Sequence, residues 1–334
     1  MEILSTGEKI RRARIYKGYT LKDLCSDKIS VSKMSCIENS KVTADITILT
    51  YIADKLDMDI EYLKQDVKQQ LVIGINSLSG KIMTHAYERN FEYYLKFAEA
   101  NKYFDIAFKI IHLMFNFYIG TNETQKLHIM ISKYYGFWQK SDIEKNRETY
   151  YFDIAQFFFL TNEYTQAANY FSNVKVSSNE HNDFKMEANA TYGEASCYIK
   201  IKDYERAYQT ASELIEFVSY IDLDIKMAQI YEMLALLSLR LDKGEFIDYA
   251  QKATLLYKDD KYHVASAMYN YACIMSEMGM REKAVLYIEK ALGTYPKEST
   301  IKITNFMLLN VEQFIKNDIF DKAQSCCSDA QIGR

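Results

Sequence analysis

A short segment that recurs about every 39 residues constrains the fold of this chain more than any other feature. Five copies align on their last residue, with spacings of 40, 39, 38 and 39 residues. They are EYTQA at 163–167, DYERA at 203–207, KGEF at 243–246, REKA at 281–284 and FDKA at 320–323. A constant period of this kind is typical of stacked supersecondary units, in which neighbouring copies bury a continuous core. The sequence therefore predicts an array of similar units.

Each unit is predicted to be a pair of helices, because the 334 residues include only eleven glycines and one proline. An all-β sandwich or barrel needs turn residues about every 8–12 positions and is excluded. A disordered chain is also excluded, since 49% of the residues are hydrophobic and 14% are aromatic. The predicted fold class is all-α.

Small residues recur in register with these segments. Twelve positions before each aligned residue stand Ala155, Ala195, Leu234, Ala272 and Val311, and seven positions after it stand Val174, Leu214, Ala253, Ala291 and Ala330. Each copy resembles a tetratricopeptide repeat, stretched from about 34 residues to about 39. The resemblance implies a right-handed α-solenoid. KYFDIA, ending at Ala107, resembles an earlier and more divergent copy, and the interval after it has room for one additional helix at 125–139.

The first helix of every pair lines the concave face of such a solenoid. At the offsets that the resemblance assigns to this face, polar side chains stand beside tyrosines, a combination that suits an extended peptide. The candidate peptide-binding residues are Gln156, Asn189, Tyr192, Tyr231, Glu232, Ser266, Tyr269, Asn270 and Asn305. The alternative for the tyrosines is ordinary core packing, because the chain has 28 of them.

The first 68 residues show a different pattern, that of five short helices. Ser5 with Glu8 forms a capping box, and Thr20, Ser30 and Asp45 precede the next helices. Residues 1–41 hold nine Lys or Arg and five Asp or Glu, a net charge of +4, whereas the whole chain carries −4. A basic end on an acidic body indicates a DNA-contacting end.

This region resembles the phage-repressor (Xre-type) helix-turn-helix domain. The resemblance is carried by R-x-x-K-G-Y-T-L-x-x-L from Arg14, by S-x-x-x-x-I-E-N-S from Ser32, and by ILTYIADKL at 48–56. It implies a recognition helix from about Ser30 to Asn39 that lies in the DNA major groove. The candidate DNA-binding residues are Arg11, Arg12, Lys17, Thr20, Ser30, Ser32, Lys33, Cys36 and Lys41.

Two further residues of this region receive opposite expectations. Arg14 is a candidate phosphate contact, like its basic neighbours, and Glu38 is expected to be a structural anchor within the domain. The alternative for each basic residue is a solvated surface charge.

Motifs of other function classes are missing from the sequence. The six cysteines form no CxxC pair and the five histidines are scattered singly, so we predict no metal site and no cofactor. No phosphate loop, HExxH or GxSxG motif is present, and we expect no enzyme activity. No apolar run is long enough for a membrane span. A cytoplasmic protein with no membrane partner is expected.

An Xre-type head joined to tetratricopeptide-like repeats resembles the RRNPP-type quorum-sensing regulators, named after Rap, Rgg, NprR, PlcR and PrgX. The resemblance implies a transcription regulator, usually a homodimer, whose repeats bind a short secreted and re-imported peptide. The peptide would change DNA binding or dimer geometry on an operator of double-stranded DNA with two half-sites. The predicted domains are the head at 1–68, a linker or hinge at 69–84, and the peptide-binding and dimerisation domain at 85–334.

Two alternatives stay open. In the first, a Rap-like or NprR-like regulator also sequesters a response-regulator protein through a surface around 85–140. In the second, the repeats only dimerise a repressor that needs no peptide, and the C-terminal helix of the chain occupies the concave face.

Overall fold

The protein is described by a computed structural model that covers residues 2–79, 85–221, 223–296 and 300–332. These residues form helices joined by turns and contain no strand. The chain divides into two compact units, residues 1–153 and 154–334. The all-α prediction is confirmed.

Five short helices begin the first unit, as the capping residues predict. Helices α1 to α5 are Thr6–Tyr16, Leu21–Cys25, Val31–Glu38, Ile46–Leu56 and Ile60–Lys64. Ser5 and Glu8 form the predicted capping box, and the Thr20, Ser30 and Asp45 side chains each accept an N–H bond at the start of their helix. Their common core consists of Ile10, Leu24, Cys25, Ile29, Met34, Ile37, Ile52, Ala53, Leu56 and Leu63.

A packed helix occupies most of the segment predicted as a linker. Helix α6 is Val67–Ser79, and its Leu71 and Ile75 are buried. The buried Gln70 side chain accepts a bond from the N–H of Leu4 (3.1 Å) and donates one to its carbonyl (2.7 Å). This helix therefore holds the N-terminal segment in place. The rest of the predicted hinge, 80–84, lies outside the described residues.

Longer helices complete the first unit and lead into the second. Helices α7 to α10 are His85–Ala100, Phe104–Gly120, Thr124–Gln139 and Asn146–Leu160. Helix α9 is the additional helix predicted at 125–139, and α8 begins within the divergent copy KYFDIA.

The second unit consists of helix pairs in the predicted register. Helices α11 to α19 are Tyr164–Glu180, Phe184–Lys200, Tyr204–Phe217, Asp224–Arg240, Phe246–Tyr257, Lys261–Glu277, Arg281–Thr294, Thr300–Lys316 and Phe320–Ile332, with a 3-10 turn at Val218–Tyr220. The second helix of each pair starts within a recurring segment. The aligned positions Ala195, Leu234 and Ala272, two of them small, are fully buried, as close helix packing requires.

Main-chain bonds close the turns within these pairs. The residues at the turns have left-handed backbone conformations, with φ between 52° and 75°: Asn162, Lys202, Asp242, Gly279 and Asp318. After each one, the next N–H donates to the carbonyl five residues back, at 2.8 to 2.9 Å. This is the Schellman pattern that ends a helix. Only one of the five positions uses glycine, which explains how the chain turns so often with so few glycines.

Candidate DNA-contacting and peptide-binding sites

Helix α3 presents its N-terminal turn to solvent. Ser30 caps the helix by accepting the N–H of Lys33 (3.2 Å), while Met34 and Ile37 are buried in the head core. Ser30, Ser32 and Lys33 are exposed on the side away from this core. The arrangement is the one that a recognition helix needs, because its outward residues have to reach base edges.

Glu38, at the end of α3, is anchored by Arg14 of α1. The Arg14 Nε donates to Oε1 (2.6 Å) and Nη2 donates to Oε2 (2.9 Å), while Nη1 donates to the Tyr19 carbonyl (2.9 Å). The two side chains are only 13% and 5% exposed. The expected structural role of Glu38 is confirmed. The expectation of a phosphate contact for Arg14 is wrong, because its guanidinium already fixes α3 against α1.

The other predicted DNA-binding residues lie at the surface of the head, and their contacts with DNA stay a prediction. Cys36 is half-buried. The other eight are exposed, and they are Arg11, Arg12, Lys17, Thr20, Ser30, Ser32, Lys33 and Lys41. Arg12 forms an exposed ion pair with Glu2 (2.6 Å). The Thr20 hydroxyl caps α2 and donates to Asp23 (2.6 Å).

A groove of about 320 Å³ lies within the second unit, between α12, α14, α16 and the end of α15. It is lined by Tyr192, Ile199, Gln229, Glu232, Met233, Leu236, Tyr257, Tyr262, His263, Ser266 and Asn270. Four of the nine predicted peptide-binding residues are therefore brought together. They are Tyr192, Glu232, Ser266 and Asn270.

Glu232 is the polar centre of this groove. The Tyr257 hydroxyl donates to its Oε2 (2.6 Å), and the Asn270 side-chain amide donates to its Oε1 (3.0 Å). Burial raises the pKa of Tyr257, and the hydrogen bond and charge of Glu232 raise it further. Burial likewise raises the pKa of Tyr192. Both phenols are thus neutral at neutral pH.

The other five predicted residues do not line the groove, as far as the described residues show. Tyr231 packs beside Tyr249, with ring centroids 6.2 Å apart, and Tyr269 packs edge-on against Phe306 at 5.8 Å. Both tyrosines are half-buried against aromatic neighbours, and their contact with a peptide stays a prediction. The remaining residues lie on α10, α12 and α18 and are Gln156, Asn189 and Asn305.

Three aromatic residues of the groove escaped the sequence analysis. Tyr257 ends a second helix, whereas the repeat offsets select only first helices. Tyr262 and His263 lie in the first turn of α16, before the offset positions begin. Asp260 caps this helix and accepts a bond from His263 Nδ1 (2.7 Å). The signal that marks them is an aromatic cluster around the turn between α15 and α16.

A second buried polar cluster, in the first unit, was also missed. Asp153 is 1% exposed and bonds His112 Nδ1 (2.7 Å) and the Tyr134 hydroxyl (2.7 Å), with the Asn116 amide at 3.3 Å. Burial lowers the pKa of His112, but the hydrogen bond and charge of Asp153 outweigh this and the net shift is upward. The four residues of the cluster lie on three helices, so no local motif reveals them.

The described part of the chain holds no group of three or more His, Cys, Asp or Glu side chains placed to bind a metal ion. Within the same part, no helix combines the length and the apolar character that crossing a bilayer demands.

Comparison with known proteins identifies the fold. No family model and no curated protein sequence matches the chain. The apo form of the quorum sensor NprR from B. thuringiensis is similar at 14% identity and a TM-score of 0.53, over 80% of this chain and 76% of that one. Aspartyl phosphate phosphatase F from Bacillus subtilis is similar at 14% identity and a TM-score of 0.51, over 100% of this chain and 96% of that one.

A third structure is similar at a lower score. Bacillus thuringiensis PlcR, in complex with the peptide PapR7 and DNA, has 15% identity and a TM-score of 0.44, over 78% of this chain and 97% of that one. The helix pairs of the second unit and the two higher-scoring similarities agree on one architecture. The chain has a tetratricopeptide-like α-solenoid fold, like that of these two structures.

Proposed function

We propose that this protein is a DNA-binding transcription regulator whose repeats bind a short signalling peptide, and that the peptide switches DNA binding or dimer geometry. The observation that carries the proposal is the groove around Glu232, which unites four side chains predicted independently as peptide contacts. The exposed N-terminal turn of α3 supports the DNA-binding half.

The DNA contact proposed for the head has two components. Ser30, Ser32 and Lys33 enter the major groove, where hydroxyl and ammonium groups bond base edges or phosphates. The surrounding exposed cations neutralise phosphates and give a salt-dependent affinity. They are Arg11, Arg12, Lys17 and Lys41.

A salt-dependent gel shift tests this half. The full chain is mixed with DNA from upstream of its own gene, and Lys33→Ala should lower affinity. If the lost contact is to a phosphate, the slope of log affinity against log salt should fall by about one. Lys64→Ala is the control, because Lys64 lies on α5 and pairs with Glu61 (2.9 Å). Unchanged affinity for Lys33→Ala would remove it from the interface.

The groove suits one part of an extended peptide, because it combines aromatic walls with amide and hydroxyl groups. Asn270 is exposed and can bond a peptide main chain while it donates to Glu232. Calorimetry with synthetic peptides encoded beside the gene should show binding that Asn270→Ala weakens and Asn101→Ala, outside the second unit, leaves unchanged. Failure of every such peptide to bind would refute the peptide-binding half.

Peptide control of DNA binding requires different peptide affinities in two states of the protein. In a homodimer, half-sites about 34 Å apart would make DNA affinity sensitive to small changes in the spacing of the two heads. The hinge predicted at 69–84 stays part of this proposal. Gel shifts with and without a bound peptide test the coupling, and an identical operator affinity in both would refute it.

A second candidate is a regulator that sequesters a response-regulator protein. The similarity to aspartyl phosphate phosphatase F favours it, because that similarity extends over the whole chain. The partner surface would lie around 85–140, so binding to phosphorylated response regulators should survive deletion of 1–68. Phosphate release measured in the same assay would show whether the protein is also an enzyme.

The peptide-independent alternative has less support. It requires the C-terminal helix to occupy the concave face, yet the described groove is lined by α12, α14, α15 and α16 and by no residue of α19.

A further inference from the structure

The charge of the groove is negative at its centre. Glu232 accepts its two hydrogen bonds from Tyr257 and Asn270, which are both neutral groups. A carboxylate has about four acceptor positions, so about two remain for a ligand. Among the described residues, Glu232 forms no ion pair.

The lining contains no Lys or Arg that would offset this charge. Two basic side chains nearby in the sequence are engaged elsewhere, since Lys252 pairs with Asp248 (2.7 Å) and Lys258 with Asp224. His263 also lines the groove, but its Nδ1 lies 2.7 Å from Asp260, a carboxylate that offsets the charge of a protonated ring. The groove is therefore lined by one carboxylate and by no Lys or Arg that balances its charge.

The walls of the groove favour a cation as well. Tyr257 stacks on His263, with ring centroids 5.3 Å apart, and Tyr192 and Tyr262 line the same space. The faces of neutral tyrosine rings attract cations through their quadrupole. A volume of about 320 Å³ is at the lower limit for small-molecule pockets, so it suits one long side chain or a chain end rather than a whole peptide.

We propose that a positively charged nitrogen of the signalling peptide binds at Glu232, between the tyrosines of the groove. This inference rests on the proposed peptide-binding function and specifies the chemistry of the ligand. The nitrogen belongs either to a Lys or Arg side chain or to the free amino terminus, because both offer N–H donors for charge-assisted bonds to a carboxylate.

Synthetic peptide mixtures of one fixed length test the proposal on the full chain. One set has Lys or Arg at a defined position, a matched set has norleucine there, and both are made with free and with acetylated amino termini. Charged mixtures should bind about ten-fold more tightly than their neutral counterparts. A preference for Lys or Arg over norleucine assigns the nitrogen to the side chain, and a preference for free over acetylated amino termini assigns it to the amino terminus.

The Glu232→Gln variant should abolish the preference for charged mixtures. Gln keeps an acceptor in the groove, and thermal unfolding verifies that the variant is folded. Glu232→Lys provides a second test, since it should reverse the preference towards acidic mixtures. Glu282→Gln is the control, because this exposed carboxylate on α17 is outside the groove.

The possible failures are distinguishable. Equal binding of charged and neutral mixtures, unaffected by Glu232→Gln, would overturn the inference and leave peptide binding intact. Failure of all mixtures to bind would overturn the proposed function together with the inference.

Discussion

Removing Glu38 alone should destabilise the head more than removing both members of the Arg14–Glu38 pair. The pair has two N–H bonds, of 2.6 and 2.9 Å, and its side chains are 13% and 5% exposed. Glu38→Leu leaves the Arg14 guanidinium largely shielded from water without its counter-ion. Breaking one partner of a buried pair costs about 3–5 kcal/mol. The lower end applies here, because Arg14 keeps its bond to the Tyr19 carbonyl.

The double variant Arg14→Met/Glu38→Leu should cost less, about 1 kcal/mol. Apolar residues of similar volume replace a buried ion pair at little net cost, and the main loss is the hydrogen bond to the Tyr19 carbonyl. The single and double variants should therefore differ by about 2 kcal/mol, or roughly 30-fold in the opening equilibrium.

Amide hydrogen exchange of the full chain measures this difference locally. The exchange free energies of α1 and α3 report opening of the head, whereas global unfolding of a chain with two units is not a two-state process. A double variant as unstable as Glu38→Leu would refute the reasoning, since it would show that apolar packing and not an unpaired charge limits stability.

Three further predictions concern stability. Gly7→Ala would place a Cβ 2.3 Å from a carbonyl oxygen of α3. This variant should lower the free energy of amide exchange in α1 by about 1–3 kcal/mol. Gly136→Ala is the control, because its Cβ would meet open space, and it should stabilise α9 by up to about 1 kcal/mol. A hydrogen bond from Lys126 is the main reason that the pKa of Glu88 falls to about 2 from its usual 4.5. The resulting stabilisation is complete above pH 4.5 and is lost as the pH falls towards 2, so Glu88→Gln should flatten acid unfolding there. Lys202→Gly relieves a left-handed backbone at φ 63°, so it should stabilise the protein by about 0.5–1 kcal/mol and raise the midpoint temperature of thermal unfolding.

Local signals made the helices of this protein predictable. Ser5, Thr20 and Ser30 indicate where helices start, because the side chain of an N-cap residue accepts a hydrogen bond from an N–H group within three residues. The period of about 39 residues fixed the pairs of the second unit, because each pair repeats the same packing. No local signal in the predicted linker at 69–84 indicates the burial of α6, since its Gln70 bonds a distant partner, Leu4.

The candidate site was less predictable. Repeat offsets located Glu232 and Asn270, which face each other from neighbouring first helices. The same offsets selected both Tyr192, which lines the groove, and Tyr231, which packs beside Tyr249, because an offset in the sequence does not specify the neighbours of a side chain. Tyr257 was missed because it comes from a second helix.

The locally closed turns also affect the order in which the protein can fold. Because each turn is completed by main-chain bonds that span six residues or fewer, a helical hairpin can form before later segments of the chain exist. Contacts of this kind close short loops and form quickly. During synthesis the second unit can therefore assemble pair by pair behind a head that has already emerged. Each new helix pair packs against the pair that formed before it, so the second unit folds from its N-terminal end towards its C-terminal end.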